Sequence, residues 1–342
     1  MDVDMKILTA VVPCYNSEAY MKKCIQSLLV AGEKIEILII NDGSSDQTAR
    51  IANAYEKKYP TIIKAIHQEN RGHGGAVNTG IEHAAGRYFK VVDSDDWVDK
   101  EAFLKVLETL EREHEKGEVI DLLLTNFVYY KQGVKRHKVM KYTSALPQNT
   151  IFTWEDKLHI NKFQYILMHS VTYRTEIVRQ SSVKLPEHTF YVDNVFLYQP
   201  LSYVNKMYYL DVNLYQYFIG REDQSVNEKV MISRIDQQIK VNKLLFDIYG
   251  KSDIHAKNLH KYMLQYMDMM MCVASVMLIL SKSKENLEKK NELWAYLKEV
   301  NPQLHKKMRT TIFGIWMNLP GKVGRWLSVT GYKVMQKVFG FN

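Results

Sequence analysis

Apolar runs and polar breaks alternate in a regular order through the first hundred residues. Ile7 to Val12 is apolar and meets Pro13-Cys14-Tyr15-Asn16, which predicts a strand followed by a loop, because proline cannot continue a central ladder. Ser17 is expected to cap a helix in which Tyr20, Cys24, Ser27 and Leu28 follow the helical period. Ile35 to Ile40 predicts a second strand, stopping at Asn41-Asp42-Gly43-Ser44-Ser45-Asp46, with Asp46 as the cap of the next helix. Ile62 to His67 predicts a third. It ends at Glu69-Asn70-Arg71-Gly72-His73-Gly74-Gly75, whose glycines allow backbone amides to approach a ligand before a helix over Ala76 to Ala85. Tyr88 to Val98, YFKVVDSDDWV, supplies a fourth apolar run, which breaks abruptly into Asp93, Ser94, Asp95 and Asp96.

Strand, loop and helix in this repeating order predict a parallel sheet with helices on both faces. The strands then end on one side, so the loops at Tyr15, Asp42, Asn70 and Asp95 converge on one crevice. Three carboxylates packed at such an edge repel one another, and burying them is costly unless a cation neutralises them. A divalent metal held by hard oxygen ligands meets that need. The alternative is an Asp-rich turn capping the helix that begins near Asp99; the convergence of four polar loops favours a site.

Beyond the acidic stretch the pattern predicts an amphipathic helix over Lys100 to Lys116. A strand pair follows, Val119 to Phe127 and Val128 to Val139, with a turn at Gln132-Gly133. A helix is expected over Trp154 to Asn161 and a short strand over Val171 to Arg174. Asp193 stands at the mouth of a helix carrying Phe196 and Leu197, where the helix N-terminus favours an ionised carboxylate; a simple cap is the alternative. Strands at Lys206 to Leu210 and Leu214 to Ile219 precede a polar loop, Gly220 to Ser225, and from Glu228 the chain reads as helical. Two domains are expected, 1–225 and 226–342. The methionine-rich segment Tyr262 to Leu280 is expected to be a packed bundle helix rather than a membrane span, since Gln265 and Asp268 interrupt it.

Composition changes this picture in two places. The chain of 342 residues carries a net charge of +8, yet from Val300 to Asn342 it has no Asp or Glu and seven Lys or Arg. A near-neutral body with a basic, aromatic tail argues against nucleic acid as a partner and for an anionic surface, such as a membrane. A helical subdomain or an oligomer contact is the other reading of the tail. The start MDVDMKILTAVV lacks the pattern of a signal peptide, and Cys14, Cys24 and Cys272 have no metal-ligand spacing. A cytoplasmic location, peripheral on the inner face of the plasma membrane if the tail binds there, is the expectation.

The ordered motifs Val12-Pro13-Cys14-Tyr15-Asn16, Asn41-Asp42-Gly43-Ser44-Ser45-Asp46, Asn70 with Gly72 and Asn78-Thr79-Gly80, and Asp93-Ser94-Asp95-Asp96 resemble glycosyltransferase family 2 over about residues 5 to 225. The resemblance implies a GT-A fold, a Rossmann-like, mostly parallel sheet flanked by helices, here with an all-helical C-terminal region. It implies an inverting transferase that uses a UDP-sugar and Mn²⁺ or Mg²⁺, and a glycan or lipid-linked acceptor. Pro13, Tyr15, Asn16, Asp42, Asn70 and Ser94 would hold the nucleotide, Asp93 would lie against the ribose, Asp95 would coordinate the metal and Asp193 would be the base. Two positions depart from the pattern: Val192 stands where relatives often carry Glu, and Val77 where they often carry Arg. His73, Arg71 or Arg221 is expected to replace that Arg, with Arg221 preferred because arginine binds phosphate bidentately. A nucleotidyltransferase and a catalytically silent scaffold are the rival readings; Val12 to Ser17 lacks the cations a triphosphate loop carries.

Overall fold

A computed structural model describes residues 5–131, 133–134, 136–161, 164–220 and 227–339. The chain divides into two compact units, Met1–Ile219 and Gly220–Asn342.

The first unit is built on a curled, mixed sheet. Strands β1 (Leu8–Cys14), β2 (Ile35–Asp42), β3 (Ile63–Gln68) and β4 (Tyr88–Val91) lie in the order β3-β2-β1-β4 and are parallel. They alternate with helices α1 (Met21–Leu28), α2 (Thr48–Lys58) and α3 (Gly72–His83). Every residue of β1 is buried, as expected of a central strand covered on both faces. The short β5 (Trp97–Val98) follows the acidic stretch, and α4 (Lys100–Glu115) begins on Asp99, whose Oδ1 accepts the Ala102 amide at 2.9 Å. The sheet continues through β9 (Val171–Arg174), antiparallel to both β4 and β6 (Leu122–Lys131), to β10 (Met207–Ile219), which runs parallel to β6. Two short strands, β7 (Lys138–Met140) and β8 (Ile151–Phe152), pair antiparallel with β6 and β10.

Several local expectations are corrected. β1 runs through Pro13, which pairs in register with Ile40. The Val11 carbonyl accepts the Val92 amide, so Pro13, two residues on, faces the side where β4 has already ended, and its missing N–H forfeits no ladder bond. Ser17 does not cap a helix with its side chain; its carbonyl accepts the Tyr20 and Met21 amides, and its hydroxyl crosses to another loop. The glycines at 72, 74 and 75 form the first turn of α3, not a loop before it. Trp154 to Asn161 is not helical: Asp156 Oδ2 accepts the Thr153 amide at 2.7 Å and its hydroxyl at 3.0 Å, closing a turn instead. The break expected at Phe127/Val128 is absent, and the two strands expected over 206–219 are one strand with register shifts between Leu210 and Tyr215.

The second unit is helical: α7 (Glu228–Ser233), α8 (Ile235–Lys251), α9 (Lys257–Leu280), α10 (Lys284–Val300), α11 (Pro302–Arg309), α12 (Ile312–Met317) and α13 (Gly321–Phe339). In the first unit α5 (Thr175–Gln180) and α6 (Asp193–Tyr198) complete the helices. Among the described residues α9 alone is long and apolar enough to cross a membrane, but 72% of its apolar window is buried within the protein. Met263, Met267, Met270, Met271 and Met277 are buried, and Val276 to Ile279 join Ile235 and Met317 in one core. The methionines fill a helix junction of irregular shape.

Candidate active site

The carboxyl ends of β1 to β4 bring the four polar loops together, stitched by side chains. Asn16 adopts a left-handed backbone (φ 48°), which asparagine tolerates, and its Oδ1 accepts the Ser45 amide at 2.9 Å. The Asn16 amide donates to Ser44 Oγ at 3.0 Å, and the Ser17 and Ser94 hydroxyls are 2.8 Å apart. Ser94, in the acidic stretch, is thus tied to the β1 loop. Tyr15 is exposed at the rim, whereas Pro13 is buried. Asp42 is buried, and its Oδ1 accepts from Gln68 Nε2 at 2.6 Å and from the Arg71 amide at 2.8 Å. Asn70 donates to the Asp42 carbonyl at 3.1 Å.

The glycines of α3 serve a close approach, though not to a ligand. A Cβ on Gly72 would stand 2.9 Å from the His188 nitrogen, and one on Gly74 would stand 2.5 Å from the Pro186 carbonyl oxygen. The segment before Asp193 is thereby pressed onto α3, with Asn78 bonding both the Leu185 carbonyl and the Leu185 amide at 2.9 Å. This contact carries α6, and Asp193 at its first position, to the acidic stretch.

His73, on the first turn of α3, joins the parts. Its Nε2 lies 2.8 Å from Asp93 Oδ1. Burial pulls the His73 imidazolium down, but Asp93, with Asp193 and Asp95, holds it above its ordinary value. The Asp93 carboxyl, which burial alone would raise, is held below its ordinary value by His73. Burial pushes Asp193 up to about 6 despite the opposing pull of His73. Desolvation at this part-buried position thus works against the helix terminus, but a carboxyl near 6 is still mostly ionised at neutral pH. Asp95 is half-buried and its charge reaches His73 and Asp96. Asp96 is buried and structural, accepting from Tyr215 Oη at 2.6 Å and from the Phe218 amide at 2.7 Å.

Three contributors had not been anticipated. Tyr215, besides binding Asp96, accepts the Asp93 amide at 3.1 Å, so one β10 hydroxyl sets the acidic turn. Lys90 is buried in β4, donating to the His169 and Val171 carbonyls at 2.9 and 3.1 Å, and burial pushes it down to about 7. A lysine inside an apolar run was the available signal. His169 stacks on Tyr217 with ring centroids 4.3 Å apart, and burial takes it down to about 4. It is therefore neutral at pH 7, and among the described residues its buried Nδ1 has no hydrogen-bond partner. No local pattern pointed to it.

A ligand atom from each of Asp93, Asp96 and His169 lies within 4.8 Å of the others. Asp96 is already committed to Tyr215 and Phe218, so within this group Asp93 and the His169 imidazole are the candidate donors for a divalent ion, and Asp95, the expected ligand, is not part of it. Carboxylate oxygens are the hard donors that Mg²⁺ and Mn²⁺ take. Arg71 is spent on Glu187, its Nε donating to Oε1 at 2.9 Å, and Arg221 lies outside the described residues. Val77 and Val192 are fully buried, so neither brings a polar group to the crevice.

Residues 9–168 match the sequence profile described as glycosyl transferase family 2. The chain is 28% identical over 272 residues to the uncharacterized glycosyltransferase EpsJ of Bacillus subtilis strain 168, spanning 76% of this chain and 75% of EpsJ. In fold it is similar to residues 1–349 of S. aureus TarS in complex with UDP-GlcNAc, with a TM-score of 0.71 at 17% identity over 97% of this chain and 91% of that one. The mannosyltransferase PcManGT from Pyrobaculum calidifontis, in complex with GDP-Man and Mn²⁺, superposes with a TM-score of 0.50 at 11% identity, over 98% and 87% of the two chains.

Proposed function

Because the chain is a family 2 glycosyltransferase of GT-A fold, we propose that residues 1–225 transfer a sugar from a UDP-sugar, with inversion, to a hydroxyl of a glycan or lipid-linked acceptor in cell-surface polysaccharide or cell-wall polymer synthesis. Binding of UDP-GlcNAc by TarS, a poly(ribitol-phosphate) β-N-acetylglucosaminyltransferase, supports the donor and the polymer class. The observation that carries the reading is the placement of Asp193 in the electrostatic field of His73 and Asp93, with its carboxyl near 6. A base of that strength is largely ionised at neutral pH yet still accepts a proton readily.

In this mechanism Pro13, Tyr15, Asn16, Asp42, Asn70 and Ser94 receive the nucleotide, and Asp93, oriented by His73 and Tyr215, meets the ribose. Asp95, with Asp93 and His169, would hold Mn²⁺ or Mg²⁺, which supplies neutralisation of the diphosphate charge when bound. Asp193 accepts the acceptor hydroxyl proton as the new C–O bond forms at the anomeric carbon. The bond to the diphosphate breaks on the opposite face, its electron pair leaves with UDP, and the configuration inverts. Arg221 is assigned to the phosphates. We place the protein in the cytoplasm at the inner face of the plasma membrane, where a lipid-linked acceptor is presented.

The test is release of UDP from a panel of UDP-sugars, with GDP-sugars alongside, in the presence of Mn²⁺, Mg²⁺ or EDTA. Slow UDP release with one UDP-sugar, abolished by EDTA and restored by Mn²⁺, is expected. Donor binding without turnover under any metal would assign the chain to the silent scaffolds, and turnover of a nucleoside triphosphate to the nucleotidyltransferases.

A further inference from the structure

The tail is folded, and its outside is apolar. α12 and α13 are locked together by small residues: a Cβ on Gly331 would stand 2.0 Å from Trp316 Cζ3, and Ser328 Oγ donates to the Trp316 carbonyl at 2.6 Å. Val329 and Tyr332 of α13 pack against the helical core, and Ser328 is buried. The opposite side of a surface helix is ordinarily polar. Here it carries Val323, Trp326, Leu327 and Val334, the last three standing three, four and eleven residues after the first, within about 100° of arc at 3.6 residues per turn. Val323 is 71% exposed and Trp326 64%, while α12 adds Ile312 at 65% and Ile315 at 51%. Scattered exposed apolar residues need no explanation, but a helix apolar on both its core and its solvent faces does.

The charges that α11, α12 and α13 themselves carry are all positive. Lys306, Lys307, Lys322 and Lys333 are exposed on or beside it. Lys290, on α10, is buried and donates to Asn318 Oδ1 at 3.2 Å, and the charges of Arg309 and Arg325 act on it. Among the described residues none of these three cations forms an ion pair with a carboxylate. A second copy of the chain docking through the same patch would set like charges against like. An apolar face rimmed by cations fits a surface that is negative outside and apolar within.

We propose that the outer face of α12 and α13 docks on an anionic lipid bilayer, with Ile312, Ile315, Val323, Trp326, Leu327 and Val334 entering the headgroup layer and Lys306, Lys307, Lys322 and Lys333 meeting lipid phosphates. The proposal rests on the membrane location given above, not on the transfer chemistry. Docking would hold the protein reversibly, as amphipathic surface helices do.

Flotation of the full-length chain with vesicles of phosphatidylcholine, alone or mixed with phosphatidylglycerol, tests it. Binding is expected only with phosphatidylglycerol and is expected to weaken with salt. Each of K322S and K333S should lower the partition coefficient about fivefold, and the double variant W326S/L327S about tenfold or more. These side chains are exposed, so melting temperatures should hold, and UDP release from soluble donor should be unchanged, which separates failure of docking from failure of the transferase reading. Equal binding to both vesicle types, unchanged partition of all three variants, or absence of vesicle binding together with self-association abolished by W326S/L327S, would overturn the proposal; the last result would assign the face to a second copy.

Discussion

Replacing Asp193 by Asn separates stability from turnover, because the carboxylate that the reaction needs is one that the fold holds at a cost. Its carboxyl rises from 3.8 to about 6 on folding, with burial as the leading cause. At about 1.4 kcal/mol for each tenfold in the proton equilibrium, the ionised form costs the folded state about 3 kcal/mol, a ceiling that solvent at this part-buried position lowers toward about 1 kcal/mol. The sign follows from the raised value. Well below 3.8 the group is protonated in both folded and unfolded chains and nothing is lost; the loss grows as pH rises from about 4 to about 6 and is constant above about 7. Asn carries no charge, and its side-chain oxygen can still accept from Asn194 Nδ2, which Asp193 Oδ1 now does at 3.3 Å. Urea unfolding of both proteins at pH 4 and pH 7.5 should therefore give a difference of about 0.5 kcal/mol or less at the lower pH, with the variant more stable by about 1–3 kcal/mol at the higher. Turnover should fall by about 10²- to 10⁴-fold in the variant while UDP affinity stays near its original value. In the unmodified protein turnover should drop about tenfold per pH unit below about pH 6. An Asn variant that is no more stable at pH 7.5, or one that retains turnover, would refute the reasoning.

Two further substitutions examine how the site is held. Tyr215→Phe removes the donor to buried Asp96 and the acceptor for the Asp93 amide; thermal unfolding should show a loss of about 2–3 kcal/mol, and donor affinity should fall with it because the acidic turn loses its anchor. Gly74→Ala drives a Cβ to 2.5 Å from the Pro186 carbonyl oxygen and should destabilise by about 2 kcal/mol or more, whereas Gly250→Ala, on α8 with nothing within 4 Å, should stabilise by about 0.5–1 kcal/mol. Similar melting temperatures for the two alanine variants would remove the close packing of Leu185 to His188 on α3 as the device that delivers Asp193.

The parallel core strands and the polar loops that end them were legible in the amino-acid sequence, because a run such as Ile35 to Ile40 stopped by Asn41-Asp42-Gly43 carries its meaning within a few residues. The same locality explains the placement of Asp93, Ser94 and Asp95 at a strand end and of Asp193 at the start of a helix. The errors lay where a distant partner decides. Pro13 stays in its strand because β4 has ended beside it, and the glycines of α3 serve its packing on Pro186 and His188 instead of a ligand; the turn at Asp156 is the exception, since its partner Thr153 is three residues away.

The chain's own order of residues determines a sheet with loops on one edge, a concentration of carboxylates there and a basic, aromatic end. Only the folded protein decides which carboxylate is structural and which is poised: Tyr215 and the Phe218 amide take Asp96, His73 takes Asp93, and burial raises Asp193. It also delivers His169, with its unpartnered nitrogen, from a stretch that carries no motif, and sorts the tail's apolar residues into those inside the helical core and those left facing water. Periodicity and turn chemistry act over a few neighbours, whereas desolvation and charge coupling depend on which groups the topology brings within a few ångströms, and that cannot be read from spacing along the chain.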